Sequence, residues 1–294
     1  SAARILTEIN PACYTHHFMR QRNILWFWLP LFASWLLMTA EGPIISASIN
    51  RLPNEVIMLA AFGIVNSLSV TIESPIINLL ATSTAFDVIV LGWLGTPPEV
   101  AQWVRPGMQI MVFWTAAIAW RRFLQGVMIH FGETRKVAWG TAVRLLSSGG
   151  TAVSLALFSG WPGIIIGATS LMAGVVAEAL YATVAVRPLQ RQRFSSDVPT
   201  AGWPLPSREL FWFHLPLAAT SLLILLAQPM VTFSLARLDQ PVESLAAWPV
   251  VFQIMLMARA AALALPEVVI ALSERRDTFQ PLRRFSLNLA LATT

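Results

Sequence analysis

The sequence is poor in charge, cysteine and histidine, and each shortage excludes something. Only 12% of its 294 residues are charged and 56% are hydrophobic. A soluble core of this size would need a far more polar shell. Several apolar runs instead reach the ~18–20 residues that cross the hydrocarbon core of a bilayer. The single cysteine, Cys13, excludes an internal disulfide framework and any cysteine-only metal cluster. Of the four histidines, His130 and His214 stand alone. His16 and His17 are adjacent and so point about 100° apart on a helix, which suits an interfacial pair better than a metal site. There is no GxSxG or HExxH, and no glycine-rich phosphate loop follows a strand, so no enzyme signature is present. No apolar run in the first 23 residues resembles the core of a cleavable signal peptide. The first crossing helix is therefore expected to serve as the insertion signal.

What the chain does contain is a duplication. Trp26, Phe27, Leu29, Pro30, Leu31 and Ala33 recur 186 residues later as Trp212, Phe213, Leu215, Pro216, Leu217 and Ala219. Without a gap the match continues through Pro43 and Pro229, Ser48 and Ser234, Arg51 and Arg237, and Leu52 and Leu238. It closes with Leu59-Ala60-Ala61 against Leu245-Ala246-Ala247, then Val65 against Val251. A fixed offset of this kind marks a duplicated architecture. In a membrane chain, like-oriented repeats point to a two-lobed transporter with its site between the lobes.

The apolar runs place spans at about 24–49, 56–81, 104–131, 137–158, 164–186, 210–235 and 245–272, and a further one starts near Phe285. The expected fold is all-α: a polytopic membrane protein of two like-oriented helical lobes, the second truncated. Residues 1–190 form the first lobe, 191–207 a basic linker and 208–294 the start of the second. Segments 1–23, 131–136, 187–209 and 273–284 hold thirteen of the twenty Lys and Arg. The positive-inside rule puts those segments, and with them the N-terminus, in the cytoplasm of a multi-pass cell-membrane protein. The net charge of +5 is thus assigned to topology, and no nucleic-acid partner is expected. This topology demands a crossing between Ala81 and Val104, yet the only apolar run there, Phe86 to Leu94, is about half the needed length. The expectation is that roughly 30 residues are missing near Thr84–Phe86. The twelve Trp fit interfacial belts and packing, with membrane lipid as the natural neighbour.

Ionisable groups at membrane depth cost several kcal/mol on biological scales, so each is a functional candidate. Asn66, Ser69 and Glu73 lie at i, i+3 and i+7, a polar stripe on one helix face. Their counterparts in the repeat are Phe252, Met255 and Arg259. Glu41 sits beside the kink at Pro43, with Ser34 and Ser48 a heptad away on either side. It is either a proton or sodium site at kink-freed carbonyls or a hydrated group near the outer interface. Arg121 and Arg122 follow about 14 apolar residues, ~21 Å of helix, which places them in the inner leaflet. There they either snorkel to the cytoplasm or face a cavity, where with Arg144 they would hold an anion bidentately. Glu178 is expected to pair with Arg144 on the neighbouring span, and Glu267 to be solvated near the cytoplasmic end of its span.

The kinked first helix of each lobe, the basic linker and three short stretches resemble the multidrug, oligosaccharidyl-lipid and polysaccharide exporter superfamily. That superfamily includes the multidrug and toxin extrusion transporters. The stretches are Ala119-Trp120-Arg121-Arg122-Phe123-Leu124-Gln125-Gly126, Ala142-Val143-Arg144-Leu145-Leu146 and Glu178-Ala179-Leu180-Tyr181, and within the superfamily they look most like bacterial relatives of the progressive ankylosis protein. The resemblance implies a secondary transporter or flippase for a small anionic or amphipathic solute, with no cofactor beyond a coupling sodium ion or proton bound in the first lobe. It also implies that the second and eighth helices border a central cleft, so that Glu73 and Arg259 would face one another as a gate. The alternative for Glu73 is a local packing role beside Pro75. The alternative function is a non-transporting membrane subunit that scaffolds a larger complex with other membrane subunits.

Overall fold

The computed structural model describes residues 21–71, 88–193, 208–209, 211–212, 215–216, 219–220, 223, 226–273 and 278–293. The described residues are helical, with no strand among them. Glu73, Pro75, the Thr84–Phe86 junction, Cys13, His16, His17 and His214 lie outside them. So do most positions of the second copy before Leu226 and the segment 194–207, the core of the linker.

Among the described residues ten helices follow in order: α1 Gln21–Ile49, α2 Glu55–Thr71, α3 Pro98–Ile110, α4 Trp114–His130, α5 Thr134–Phe158, α6 Gly163–Arg193, α7 Ala227–Leu235, α8 Pro241–Leu263, α9 Leu265–Leu272 and α10 Phe279–Thr293. Among the described residues, four helical stretches are long and apolar enough to cross a bilayer: α1, α5, α6 through Leu189, and the α8–α9 run Pro241–Leu272. These make the chain a membrane protein by the length and composition of its helices. The expected span at 104–131 is broken by a tight 3-10 turn, Met111–Phe113, between α3 and α4. A short π-helical segment, Val88–Trp93, precedes α3. It is closed by Leu94 N–H to Ile89 O (2.8 Å), with Gly95 at φ 67° making the turn that side-chain-bearing residues resist.

The helices start and stop where local chemistry allows. Pro43 inside α1 removes the hydrogen bond its amide would make to Thr39. The Thr39 hydroxyl donates back to Trp35 O and Leu36 O, both at 3.0 Å, in the turn before the kink. Between α1 and α2, Pro53 stops the helix and Asn54 takes the left-handed conformation (φ 58°) that asparagine tolerates. Glu55 then opens α2, favourable at the positive end of the helix dipole.

The hydrogen-bond pattern of that turn occurs twice, although Gln240, the counterpart of Asn54, lies at φ −121°. α7 ends at Leu235, 186 positions after Ile49, and α8 starts at Pro241, 186 after Glu55. The amides of Asn50, Arg51, Leu52 and Met58 bond to the carbonyls of Ser46, Ser48, Ile49 and Asn54 at 2.9–3.3 Å. Those of Ala236, Arg237, Leu238 and Ser244 bond to Thr232, Ser234, Leu235 and Gln240 at 3.0–3.2 Å. Every pair in the second set is the first set shifted by 186.

Apolar burial falls into two clusters. One gathers the C-terminal half of α1, α2, α3, the first half of α6 and Leu245-Ala246 of α8. The other gathers Ile24, Trp28 and Leu31 of α1 with Leu124, Met128, Val137, Ala182 and Val186, and with Val268, Leu272, Leu282 and Phe285 of α9 and α10. Trp26, Trp93, Trp120, Trp139, Trp161 and Trp212 are half exposed or more, as side chains facing lipid would be.

Candidate functional site: a buried ion-pair network between two apolar clusters

The two apolar clusters leave a gap on the same four helices, and the gap is filled with charge. α1 contributes Ile24–Leu31 below and Ile45–Ile49 above, with Glu41 between. α6 contributes Ile164–Val175 and Ala182–Leu189, with Glu178 between. α5 places Arg144 between Val137 and Ala152, and α4 places Arg121 between Trp114 and Leu124. Glu178 stands fifteen residues from either end of α6 (Gly163–Arg193), about 22 Å of helix each way. All four charged residues are at most 5% exposed.

Within the network, Arg144 donates to Glu41 Oε2 twice, from Nε at 2.8 Å and from Nη2 at 2.5 Å. Its Nη1 lies 3.7 Å from Glu178 Oε2, within ion-pair range. Glu178 Oε1 accepts from Arg121 Nη1 (3.0 Å), Gln125 Nε2 (3.0 Å) and the Thr141 hydroxyl (3.2 Å). Ser34 and Thr141 share a 2.6 Å bond. Since a hydroxyl carries one proton, Thr141 can serve Glu178 only if Ser34 is the donor to Thr141. The Trp114 ring lies 5.5 Å from the Arg144 guanidinium carbon, a cation–π contact at the network's edge.

Two carboxylates and two guanidiniums balance in charge, which is what lets them remain ionised away from water. Their hydrogen bonds do not balance. Glu41 Oε1, Glu178 Oε2 and Arg121 Nε are buried and make none. Glu41 Oε1 rests against α6 at Gly174, where a Cβ would come within 2.9 Å of it and within 2.8 Å of Ser148 Cβ. Only glycine leaves the carboxylate its place. Arg144 is thus shared between two carboxylates, close to one and farther from the other, and each carboxylate keeps one oxygen that could take a proton or a small cation. Loss of charge on Glu41 would leave Arg144 the choice of moving to Glu178 or holding another anion.

The structure brings together Glu41, Arg121, Arg144 and Glu178. Among the described residues, Arg122, Asn66, Ser69 and Arg259 make no hydrogen bond or ion pair with these four, and Glu73 lies outside the described residues. Arg144 does pair with Glu178, but its short bonds go to Glu41, because α1 also packs along α5. Glu41 is buried, at 3% exposure. Arg121 and Arg122 separate: Arg121 enters the network, while Arg122 is exposed. Glu267 is half-buried on α9. Asn66 is half-buried, and Ser69 is fully buried with no partner for its hydroxyl. Arg259 is exposed on α8, and its proposed partner Glu73 lies outside the described residues. Sequence reading passed over Thr141 and Gln125. Their spacing was the available signal: Thr141 stands one turn from Arg144 and Gln125 four residues from Arg121, each on its arginine's face.

Among the described residues, no three His, Cys, Asp or Glu side chains gather as metal ligands would. No protein-family model, curated protein or solved structure matches the chain.

Proposed function

We propose that the chain is part of a secondary transporter or flippase that moves an anionic or amphipathic solute by alternating access, with the buried network as its ion-responsive element. One observation carries this reading: a charge-balanced but incompletely bonded set of four buried ionisable groups, three of them on helices long enough to span a membrane. Burying charge there costs several kcal/mol even when paired, and apolar residues of similar volume would pack at least as stably. A network kept despite that cost, with Arg144 poised between two acceptors, suits a switch. When Glu41 takes up a proton or a sodium ion, its hold on Arg144 weakens, and the freed guanidinium can swing to Glu178 or to an anionic solute. Supporting it are the duplicated turn and helix ends, which fit two like-oriented halves, 1–190 and 208–294, joined by a cytoplasmic linker at 191–207. The resemblance to the exporter superfamily points the same way, with the N-terminus in the cytoplasm.

The test uses proteoliposomes loaded with carboxyfluorescein, an amphipathic anion that brightens on release. Release that depends on an imposed proton or sodium gradient, and is lost in Glu41→Gln, supports the reading. Release indifferent to both gradients, or unaltered by Glu41→Gln, counts against it.

A further inference from the structure

We infer that the contact between Gly63 of α2 and Pro249 of α8 is the fulcrum about which the two halves of the chain turn. The inference rests on the two-half transporter reading above. Positions 63 and 249 are counterparts at the 186-residue offset, and they touch each other. A Cβ at Gly63 would lie 2.5 Å from Pro249 Cγ. In a twofold arrangement only residues on the axis meet their own counterparts, and off-axis contacts come in swapped pairs. One such swapped contact is present to within a helical turn. Gln253 of α8 is seated on Gly42 of α1, where its side chain fills the space a Cβ would occupy. Ser67, the counterpart of Gln253, meets Thr232 of α7 at 3.3 Å, one helical turn beyond Gln228, the counterpart of Gly42.

The local chemistry suits a pivot. Proline at 249 has no N–H, so the carbonyl of Leu245 loses its helical partner and α8 can bend there. That freed carbonyl is the other atom facing Gly63, 3.2 Å from its Cβ position. The seat thus contains a ring, a bare backbone and no directional side-chain bond, and it can tilt without breaking one. Motion about it grows with distance. Ala261 lies twelve residues farther along α8, roughly 18 Å, and its carbonyl accepts from Trp28 Nε1 of α1 at 3.2 Å. That contact between halves is the one a rocking motion would open.

The test locks each contact in turn in the full chain carrying Cys13→Ser, reconstituted in lipid. A disulfide joins Gly63→Cys to Pro249→Cys, and a short thiol cross-linker joins Trp28→Cys to Ala261→Cys. Distances are read between spin labels on unnatural amino acids at the exposed positions 135 and 284, in the native and Glu41→Gln backgrounds. With a fulcrum at Gly63, the Glu41→Gln shift in distance survives the first bond at full size and is abolished by the second link. If the 63–249 bond abolishes the shift, the fulcrum is overturned and the transport reading stands. If the unlinked chain shows no shift, the transport reading fails and the fulcrum falls with it. Should the 63–249 variant fail to fold, Ser67→Cys with Thr232→Cys, whose hydroxyls lie 3.3 Å apart one helical turn from Gly63, locks the halves beside the seat and carries the same two outcomes.

Discussion

The layer of charge between α1, α4, α5 and α6 and the seam between α2 and α8 are both buried, yet they are held by opposite means. The first uses ion pairs and hydrogen bonds between groups that would otherwise be costly at that depth: Glu41 to Arg144 at 2.8 and 2.5 Å, and Glu178 to Arg121 at 3.0 Å. The second uses close approach, Gly63 of α2 against Pro249 of α8, and it continues onto α1, where Gly42 lies beneath Gln253. Directional bonds between charges can be switched by one proton or one ion. An apolar seam cannot be switched, but it can tilt or slide without losing a bond. The contrast suggests a division of labour, the charged layer deciding the state and the seam allowing the movement. The two meet on α1, where Glu41 and Gly42 are neighbours in sequence.

The largest effect that would break this comparison comes from removing one charge. Arg144→Leu leaves Glu41 and Glu178 with a single guanidinium between them, and it should cost about 3–5 kcal/mol in unfolding measured in detergent. A loss below ~1 kcal/mol would mean the layer is not held by its ion pairs. Removing the whole pair sharpens the point. Glu41→Leu with Arg144→Leu leaves Glu178 and Arg121 balanced, so stability should stay within about 2 kcal/mol of the native chain while gradient-driven carboxyfluorescein release disappears. On the seam, Gly63→Ala meets a proline ring and a backbone carbonyl, neither of which can step aside, and should cost roughly 1–3 kcal/mol. Gly42→Ala meets the flexible Gln253 side chain, which can rotate away, so its cost should be the smaller of the two in the same assay. Ser34→Ala, which removes the 2.6 Å support behind Thr141, should give the smallest change, about 0.5–1.5 kcal/mol.

Much of the framework was legible in the amino-acid order, because hydrophobic run length and proline placement act locally. The ends of α1, α5 and α6 fall near the expected ones, and the turn after α1 reappears after α7 with the same bonds. All four members of the charged layer could be singled out, since an ionisable residue in an apolar run is visible without a structure. Partner choice was legible in part. Glu178 does pair with Arg144, as their consecutive spans suggested, but the closer partner, Glu41, reaches Arg144 across 103 residues of chain through the packing of α1 on α5. The separation of Arg121 from Arg122 was hidden for the same reason: adjacent residues differ only in which side of α4 is covered, and the covering helices are remote in sequence. The break at Met111–Phe113 carries no proline or glycine of its own, so run length alone read through it.

The most direct measurement of the link between the layer and the seam is amide hydrogen exchange on the lipid-reconstituted chain, native against Glu41→Gln. If the Glu41–Arg144 pair sets the state of the molecule, exchange should quicken across the Gln253 contact, in residues 256–272, as well as beside the lost pair in 36–46 and 141–148. Quickening confined to 36–46 and 141–148, with 256–272 unchanged, would make the pair a local packing feature and contradict the account.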